Sequence, residues 1–373
     1  MYTYIDVSAA VHSRAGLGRY AESLALALAR QEPGRFALFH NHAGRHWELT
    51  SLEALSRQSV PLGYKPWRMA VWLGQMAGLG FDRLLPDADL YHATEHLLMP
   101  LHSVPTVLTV HDLIFKLFPQ HHKRLNYWFL NAAMPLFVRR ADAIITISES
   151  SKNDLIRHYG TPAEKITVVY EAAATHFQPA SPFTVANARR EYHLPDRFLL
   201  TVGTIEPRKN LSRLLEALVR LRVDDPDLHL VVVGARGWLY GDFFRQIEAL
   251  GLEDVVRFPG YVLDADLPAI YSAATLLVMA SLYEGFGLPV LEAMSCGAPV
   301  VSSHASSLPE IGGEAARYFD PMSVDDMTAA LRQALADEEL RAEMREAGLE
   351  QAAKFSWERA ARETMAVYEQ VAG

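Results

Sequence analysis

The chain carries one cysteine, Cys296, in 373 residues. That excludes an internal disulfide framework and any cysteine-pair metal site, and it fits a reducing compartment. Long apolar runs are absent as well, so no segment is expected to span a bilayer. The opening MYTYIDV reads as a strand, without the basic segment and following apolar stretch of a secretory leader. The expected location is therefore cytoplasmic. Positive charge is in short supply: 35 Lys and Arg against 44 Asp and Glu leave a formal net charge of −9. General nucleic-acid binding wants the opposite balance, although local basic clusters could still meet phosphate. The 15 histidines show no zinc-like spacing, and no repeat or low-complexity tract stands out.

What is present is ordinary globular material, half of it hydrophobic, in a chain long enough for two domains. Short Val/Ile/Leu-rich runs alternate with helical patterns. TYID, FALFHN, DLYHA, TVLTV, AIIT and ITVV fall in the first half, and FLLTV, HLVVV, VVRF, LLVM and VVSS in the second. Nearly continuous apolar strands are expected where both faces of a parallel sheet are covered. Strands alternating with helices predict an α/β architecture with right-handed crossovers. The stretch HFQPASPFTVA, with Pro179, Ser181 and Pro182, is the expected boundary between an N-terminal domain, residues 1–178, and a C-terminal domain, residues 179–354. Residues 355–373 are expected to form a final helix, capped by Ser356, that returns to the N-terminal domain.

The segment SLYEGFGLPVLEAMSCGAPVV places Glu284 and Glu292 on either side of a glycine turn. Pro289 suits a first helical turn, and Gly297 can end the same helix. Gly285 and Gly287 before a helix N-terminus would let backbone N–H groups approach an anion, and the macrodipole favours negative charge there. A diphosphate fits such a place. Carboxylates would repel it and need other partners, such as the hydroxyls of a sugar or ribose. On its own a GFG turn is a weak motif, and Glu292 could simply serve the helix dipole.

The wider pattern is more specific. EGFGLPVLEAMSCGAPVVSS followed by LPEIGG resembles the donor-site signature of glycosyltransferase family 4, retaining enzymes of the GT-B fold. AGLGRYAESLALAL, TVHDL, ADAIITISESSKNDL and VGTIEPRKNL match the family's other segments in order and spacing, so the resemblance covers nearly the whole chain. It implies two Rossmann-like, doubly wound domains facing across a cleft. It implies that Glu292 binds ribose hydroxyls, that Glu284 contacts the transferred sugar, and that backbone amides at Phe286, Gly287 and Leu288 meet phosphates or sugar. Arg208 and Lys209, just after a strand, would neutralise the departing diphosphate without a metal. Some members carry a further arginine where this chain has Thr204. His111, at a strand's carboxyl end, would lie near the transferred sugar. Gly16 and Gly18 would form a loop before a helix and close over the donor phosphates. Tyr261 and Val262, in GYV, would present backbone to the base.

Two Asp-x-Asp triplets, Asp87/Asp89 and Asp264/Asp266, invite a metal-site reading. The first precedes a strand and the second begins a helix, where aspartates cap, so no metal and no cofactor are expected. The acceptor side is less legible. GYKPWRMAVWLGQMAGLG and HHKRLNYWFLNAAMPLFVRR mix aromatics with basic residues. Such stripes serve as core-facing helix faces or as peripheral contacts with a membrane that carries a lipid-linked acceptor.

The resulting expectation is a metal-independent, retaining hexosyltransferase. It would move a sugar, with mannose from GDP-mannose as the first choice, from a nucleoside-diphosphate sugar to a glycan or lipid-linked acceptor in polysaccharide biosynthesis. A sugar-nucleotide 2-epimerase on the same architecture is the enzyme alternative, and a non-catalytic sugar-nucleotide-binding protein is the other.

Overall fold

The computed structural model describes residues 1–12, 15–44, 49–121 and 124–373. The chain divides into two compact units. Unit 1 comprises Met1–Glu171 together with Ser356–Gly373, and unit 2 comprises Ala172–Phe355. The division comes before the Pro179–Pro182 stretch because the residues leading into it are held by unit 2. Phe177 is buried against Tyr271, with ring centroids 6.0 Å apart, and His176 Nε2 lies 3.1 Å from an Asp264 carboxylate oxygen.

The described residues of unit 1 form seven strands: β1 Thr3–Asp6, β2 Phe36–Asn41, β3 Arg57–Val60, β4 Leu90–Ala93, β5 Thr106–Val110, β6 Ala143–Thr146 and β7 Ile166–Val168. They pair in the order β3-β2-β1-β4-β5-β6-β7, every pairing parallel. Unit 2 repeats the plan with β8 Phe198–Val202, β9 His229–Val233, β10 Val256–Arg257, β11 Leu276–Met279, β12 Val300–Ser303 and β13 Arg317–Phe319, in the order β10-β9-β8-β11-β12-β13 and again parallel throughout. Both are doubly wound α/β sheets whose strand order reverses beside the first strand. Such sheets collect ligands at this reversal, outside the carboxyl ends of the strands.

Each sheet is covered on both faces. Residues in β1, β2, β4 and β5 are buried throughout, as expected of central parallel strands, and they include buried polar residues such as Asp6, Asn41, His92 and Thr109. In unit 2 the helix Leu211–Leu221 buries Leu211, Leu214, Leu215, Leu218 and Leu221, one stripe at helical spacing, into a core shared with Leu199, Leu230, Leu276 and Phe319.

The final helix, Trp357–Ala372, starts at Ser356, whose Oγ accepts the Arg359 N–H at 3.1 Å. It belongs to unit 1 and packs against Ala15–Gln31. Its Tyr368 hydroxyl lies 2.6 Å from His92 Nδ1, while His92 Nε2 lies 2.7 Å from the Thr109 hydroxyl. Burial, helped by the neighbouring His111, depresses the His92 pKa to about 3, so the buried ring is neutral near pH 7 and hydrogen-bonds as an uncharged group.

Candidate functional site

The strand order of unit 2 reverses between β8 and β11. The chain leaves β8 into Gly203–Asn210 and leaves β11 into Ala280–Gly287, so these two loops are neighbours by topology. Backbones crowd at the neighbouring exits of β8 and β9. A Cβ on Gly234 would lie 2.0 Å from the Gly203 carbonyl oxygen, so only glycine fits. The loop after β8 is pinned to the end of β11 by Asn210, which has a left-handed backbone (φ 58°). Its side-chain amide donates to the carbonyls of Ala280, at 3.0 Å, and Pro321, at 2.8 Å.

The pinned loops bring four charged groups together. Lys209 Nζ lies 2.6 Å from Glu284 Oε1, and Arg208 Nη1 lies 2.8 Å from Glu284 Oε2. Arg208 also donates to Glu206 Oε1 and to the Tyr283 carbonyl, each at 2.5 Å. Ser281 Oγ donates to Glu284 Oε1 at 2.5 Å. Glu206, Arg208 and Glu284 are buried, so ionisation there requires pairing. Burial pushes the Glu284 carboxyl upward, but Arg208, Lys209 and the Lys209 and Ser281 hydrogen bonds outweigh it and hold the pKa at about 2. Glu284 is thus a fixed anion near neutrality, suited to accepting hydrogen bonds rather than to shuttling a proton.

The glycine turn is held from beneath by two serines. Ser306 Oγ accepts the Glu284 N–H at 2.7 Å, and Ser307 Oγ donates to the Glu284 and Phe286 carbonyls at 3.0 and 2.6 Å. Gly287 has φ 116°, and a Cβ there would meet Leu308 at 2.9 Å. The turn opens the helix Leu288–Ser295, with Pro289 in its first turn. Proline contributes no N–H, and the Val290 N–H closes on the Gly287 carbonyl at 2.9 Å. The Leu288 N–H remains a first-turn donor. Phe286 is buried and meets Phe355 edge-on at 6.2 Å. Glu292 is buried in the second turn and accepts the Tyr271 hydroxyl at 2.7 Å through Oε2. Tyr261 and Val262 follow β10 in a separate turn, where Tyr261 is exposed and Val262 half-buried.

In unit 1, Gly16 and Gly18 do not form a loop ahead of a helix. They lie inside the first turns of Ala15–Gln31. Gly18 is there for packing: a Cβ would come within 3.1 Å of the Ala9 carbonyl oxygen, at the helix Ser8–Val11. Gly16 is exposed with open space around it. His111 directly follows β5 and is buried. Its Nε2 lies 2.9 Å from the Thr94 carbonyl, which can only accept, so that nitrogen carries hydrogen. Nδ1 lies 3.4 Å from a Glu171 carboxylate oxygen, and the Tyr20 ring stands edge-on at 4.7 Å. Both ring nitrogens are aimed at groups of unit 1. The adjacent Asp112 accepts the Ile114 N–H at 2.9 Å, a turn-capping contact.

The aspartate triplets have structural partners. Asp89 accepts the Tyr2 N–H at 2.6 Å, and Asp266 accepts the Tyr192 hydroxyl at 2.6 Å. Asp266 does not cap the helix it precedes, because its carboxylate is drawn to Tyr192 instead. No cluster of three or more His, Cys, Asp or Glu able to hold a metal occurs among the described residues. The residues missed in the sequence are Glu206, Ser281, Ser306, Ser307 and Tyr271. Glu206 and Ser281 lie within the quoted segments VGTIEPRKNL and SLYEGFGLPVLEAMSCGAPVV. Tyr271, Ser306 and Ser307 approach from elsewhere in the chain, and nothing in their local sequence marks them.

Residues 14–176 match the family described as Glycosyltransferase Family 4, and residues 186–351 match Glycosyl transferases group 1. The chain is 36% identical over 281 residues to O-antigen chain mannosyltransferase B of Escherichia coli, covering 75% of this chain and 74% of that protein. It is 34% identical over 269 residues to the serotype-specific mannosyltransferase WbdA of Escherichia coli, an alignment covering 69% of this chain but only 33% of that longer protein. Among solved structures, Anabaena Alr3699/HepE in complex with UDP and glucose aligns over 99% of both chains, with a TM-score of 0.76 and 21% identity. That likeness, with the two sheets described above, is the GT-B fold.

Proposed function

The chain belongs to the family 4, group 1 glycosyltransferases, and from that premise we propose that it transfers mannose from GDP-mannose, with retention of configuration, to a glycan or lipid-linked acceptor in polysaccharide assembly. The choice of mannose is supported by the two Escherichia coli relatives, both mannosyltransferases by name. The observation that carries the mechanism is the ion cluster where the unit 2 sheet reverses.

In this reading Lys209 is the cation that meets the diphosphate. An ammonium has three donor hydrogens, and one of them goes to Glu284. The others can reach phosphate oxygens without releasing the carboxylate. Arg208, gripped by Glu206, Glu284 and the Tyr283 carbonyl, positions Glu284 and adds positive potential. Glu284, held ionised, accepts hydrogen bonds from sugar hydroxyls. Glu292, oriented by Tyr271, takes the ribose diol, and the amides of Phe286, Gly287 and Leu288 face the phosphates. Tyr261 and Val262 offer backbone to the base. Gly16 and His111 are the unit 1 positions assigned to the donor, His111 to the transferred sugar.

The bond from the mannose anomeric carbon to the donor phosphate oxygen breaks as the acceptor oxygen attacks the same face. The acceptor proton passes to the departing phosphate oxygen, and GDP leaves. Fixed cations and amides stabilise the charge that develops on the leaving group, so the reaction needs no metal. A thermal-shift screen of nucleotide sugars, followed by mass spectrometry of acceptor products, tests the assignment. GDP-mannose should give the largest stabilisation and a product heavier by one hexose. A larger shift with a different donor, and transfer from it, would replace this reading. Isomerised donor formed without acceptor would indicate an epimerase.

A further inference from the structure

Unit 1 leaves two helix faces uncovered. The helix Tyr64–Ala77 buries Trp67, Val71, Gly74 and Gln75. Its opposite face exposes Met69, Leu73 (54%) and Met76 (63%), at i, i+4 and i+7, and Leu79 stands exposed just beyond its end. The helix Arg124–Arg140 buries Leu130, Ala133, Met134, Phe137 and Val138 and exposes Leu125 (85%) and Trp128 (68%). The two helices lie side by side. Arg68 donates to Asn126 Oδ1 at 2.7 Å and sits 3.9 Å above the Phe129 ring, which meets Trp72 at 6.3 Å. Helices that bury one stripe ordinarily turn a charged or polar face to water. These turn out methionine, leucine and tryptophan.

The charge on the same pair of helices is equally one-sided. They carry Lys65, Arg68, Arg124, Arg139 and Arg140 and not one Asp or Glu, in a chain with 44 acids and a net charge of −9. Lys65, Arg124, Arg139 and Arg140 are exposed. Exposed apolar side chains and an indole, on helices whose only charged residues are Lys and Arg, complement a surface that is apolar below and anionic above. No described helix is long and apolar enough to cross a membrane, so the pattern is one of lying on a bilayer rather than spanning it. We propose that these two helix faces of unit 1 dock on an anionic lipid surface, with Leu125, Trp128, Leu73 and Met76 inserted and Lys65, Arg124 and Arg139 against the head groups. The proposal does not depend on which donor unit 2 takes.

The test is co-sedimentation of the full chain with vesicles of phosphatidylcholine alone and of phosphatidylcholine with about 30% anionic phosphatidylglycerol. Three proteins are compared: the native chain, Leu125→Ser/Trp128→Ser, and Lys65→Glu/Arg124→Glu. All four positions are exposed, and melting curves of the variants should overlay the native curve. The native chain should pellet with the anionic vesicles and stay in solution with phosphatidylcholine alone. Each double variant should bind at least about tenfold more weakly, and added salt should weaken the native chain towards the charge-reversed variant. Tryptophan emission gives a second readout: on anionic vesicles the native chain should shift to the blue, and a single Trp128→Phe variant, which keeps the other five tryptophans, should lose that shift. Equal binding to both vesicle types, binding unaffected by either double variant, or a self-association abolished by Leu125→Ser/Trp128→Ser in a protein that ignores vesicles would each overturn the proposal.

Discussion

Lys209 Nζ and Glu284 Oε1 stand 2.6 Å apart, joining the loop that follows β8 to the loop that follows β11. Because Arg208 grips the other carboxylate oxygen, Glu284 is held as an anion by two cations from one loop. The contact makes the charge state of the site part of the fold of unit 2.

That coupling has a signature in acid. The folded pKa of Glu284 is depressed to about 2 from the ordinary glutamate value of 4.5. Its stabilisation is therefore fully present above about pH 4.5 and is lost as pH falls towards 2. A shift of this size corresponds to about 3 kcal/mol. Glu284→Gln should be less stable than the native chain at pH 7, and the difference should narrow between pH 4.5 and pH 2. Denaturant melts of both proteins across that window check this. A difference that stays constant with pH would mean the carboxylate is not held ionised by its neighbours.

Glu292 should govern nucleotide affinity. Its loss as Glu292→Ala should weaken both GDP and GDP-mannose by roughly 1.5–3 kcal/mol, the range for hydrogen bonds to a charged group. Tyr271→Phe removes only the hydroxyl that orients Glu292 and should cost less, about 1 kcal/mol. Calorimetric titration with both ligands decides the matter, and unchanged affinity in a folded Glu292→Ala protein sinks the ribose assignment.

His111 should separate binding from turnover. His111→Ala should keep GDP affinity within about threefold while lowering transfer at least roughly tenfold. It should also lower the melting temperature, because Glu171 loses the ring beside it and the Thr94 carbonyl loses its donor. Parallel loss of affinity and transfer would make His111 a binding or structural residue, and no change in either would remove it from the site.

Much of the fold could be read in the chain. Buried parallel strands are largely apolar on both faces, so β1, β2, β4–β6, β8, β9, β11 and β12 stand out as short runs rich in apolar residues. The strands that escaped notice are edges: β3, with sequence RQSV, is largely exposed, and β13 spans three residues at the rim of its sheet. The site was legible where its residues are consecutive, as in PRKN and EGFG. It was not legible where the fold supplies a partner from afar. Ser306 and Ser307 lie more than 20 residues beyond the backbone they hold, and Tyr271 is 21 residues from Glu292. Gly18 was read as a loop glycine because close approach of two helices leaves no periodic trace. The ion pairs of Arg208 were unforeseen because Glu206, two residues away, can turn towards Arg208 only in the tight turn that the chain adopts there.

The central claim is that fixed cations, with Lys209 foremost, carry mannosyl transfer from GDP-mannose. The most direct measurement is single-turnover transfer from GDP-mannose labelled at the anomeric carbon, offered to a panel of free and lipid-linked mannose oligosaccharides with a chelator present. The native chain and Lys209→Ala are run side by side, and the product configuration is read by NMR. The account predicts an α-linked product formed undiminished in chelator, and a rate lower by roughly one to three decades for Lys209→Ala. A β-linked product, or transfer that requires added metal and ignores the loss of Lys209, would contradict it.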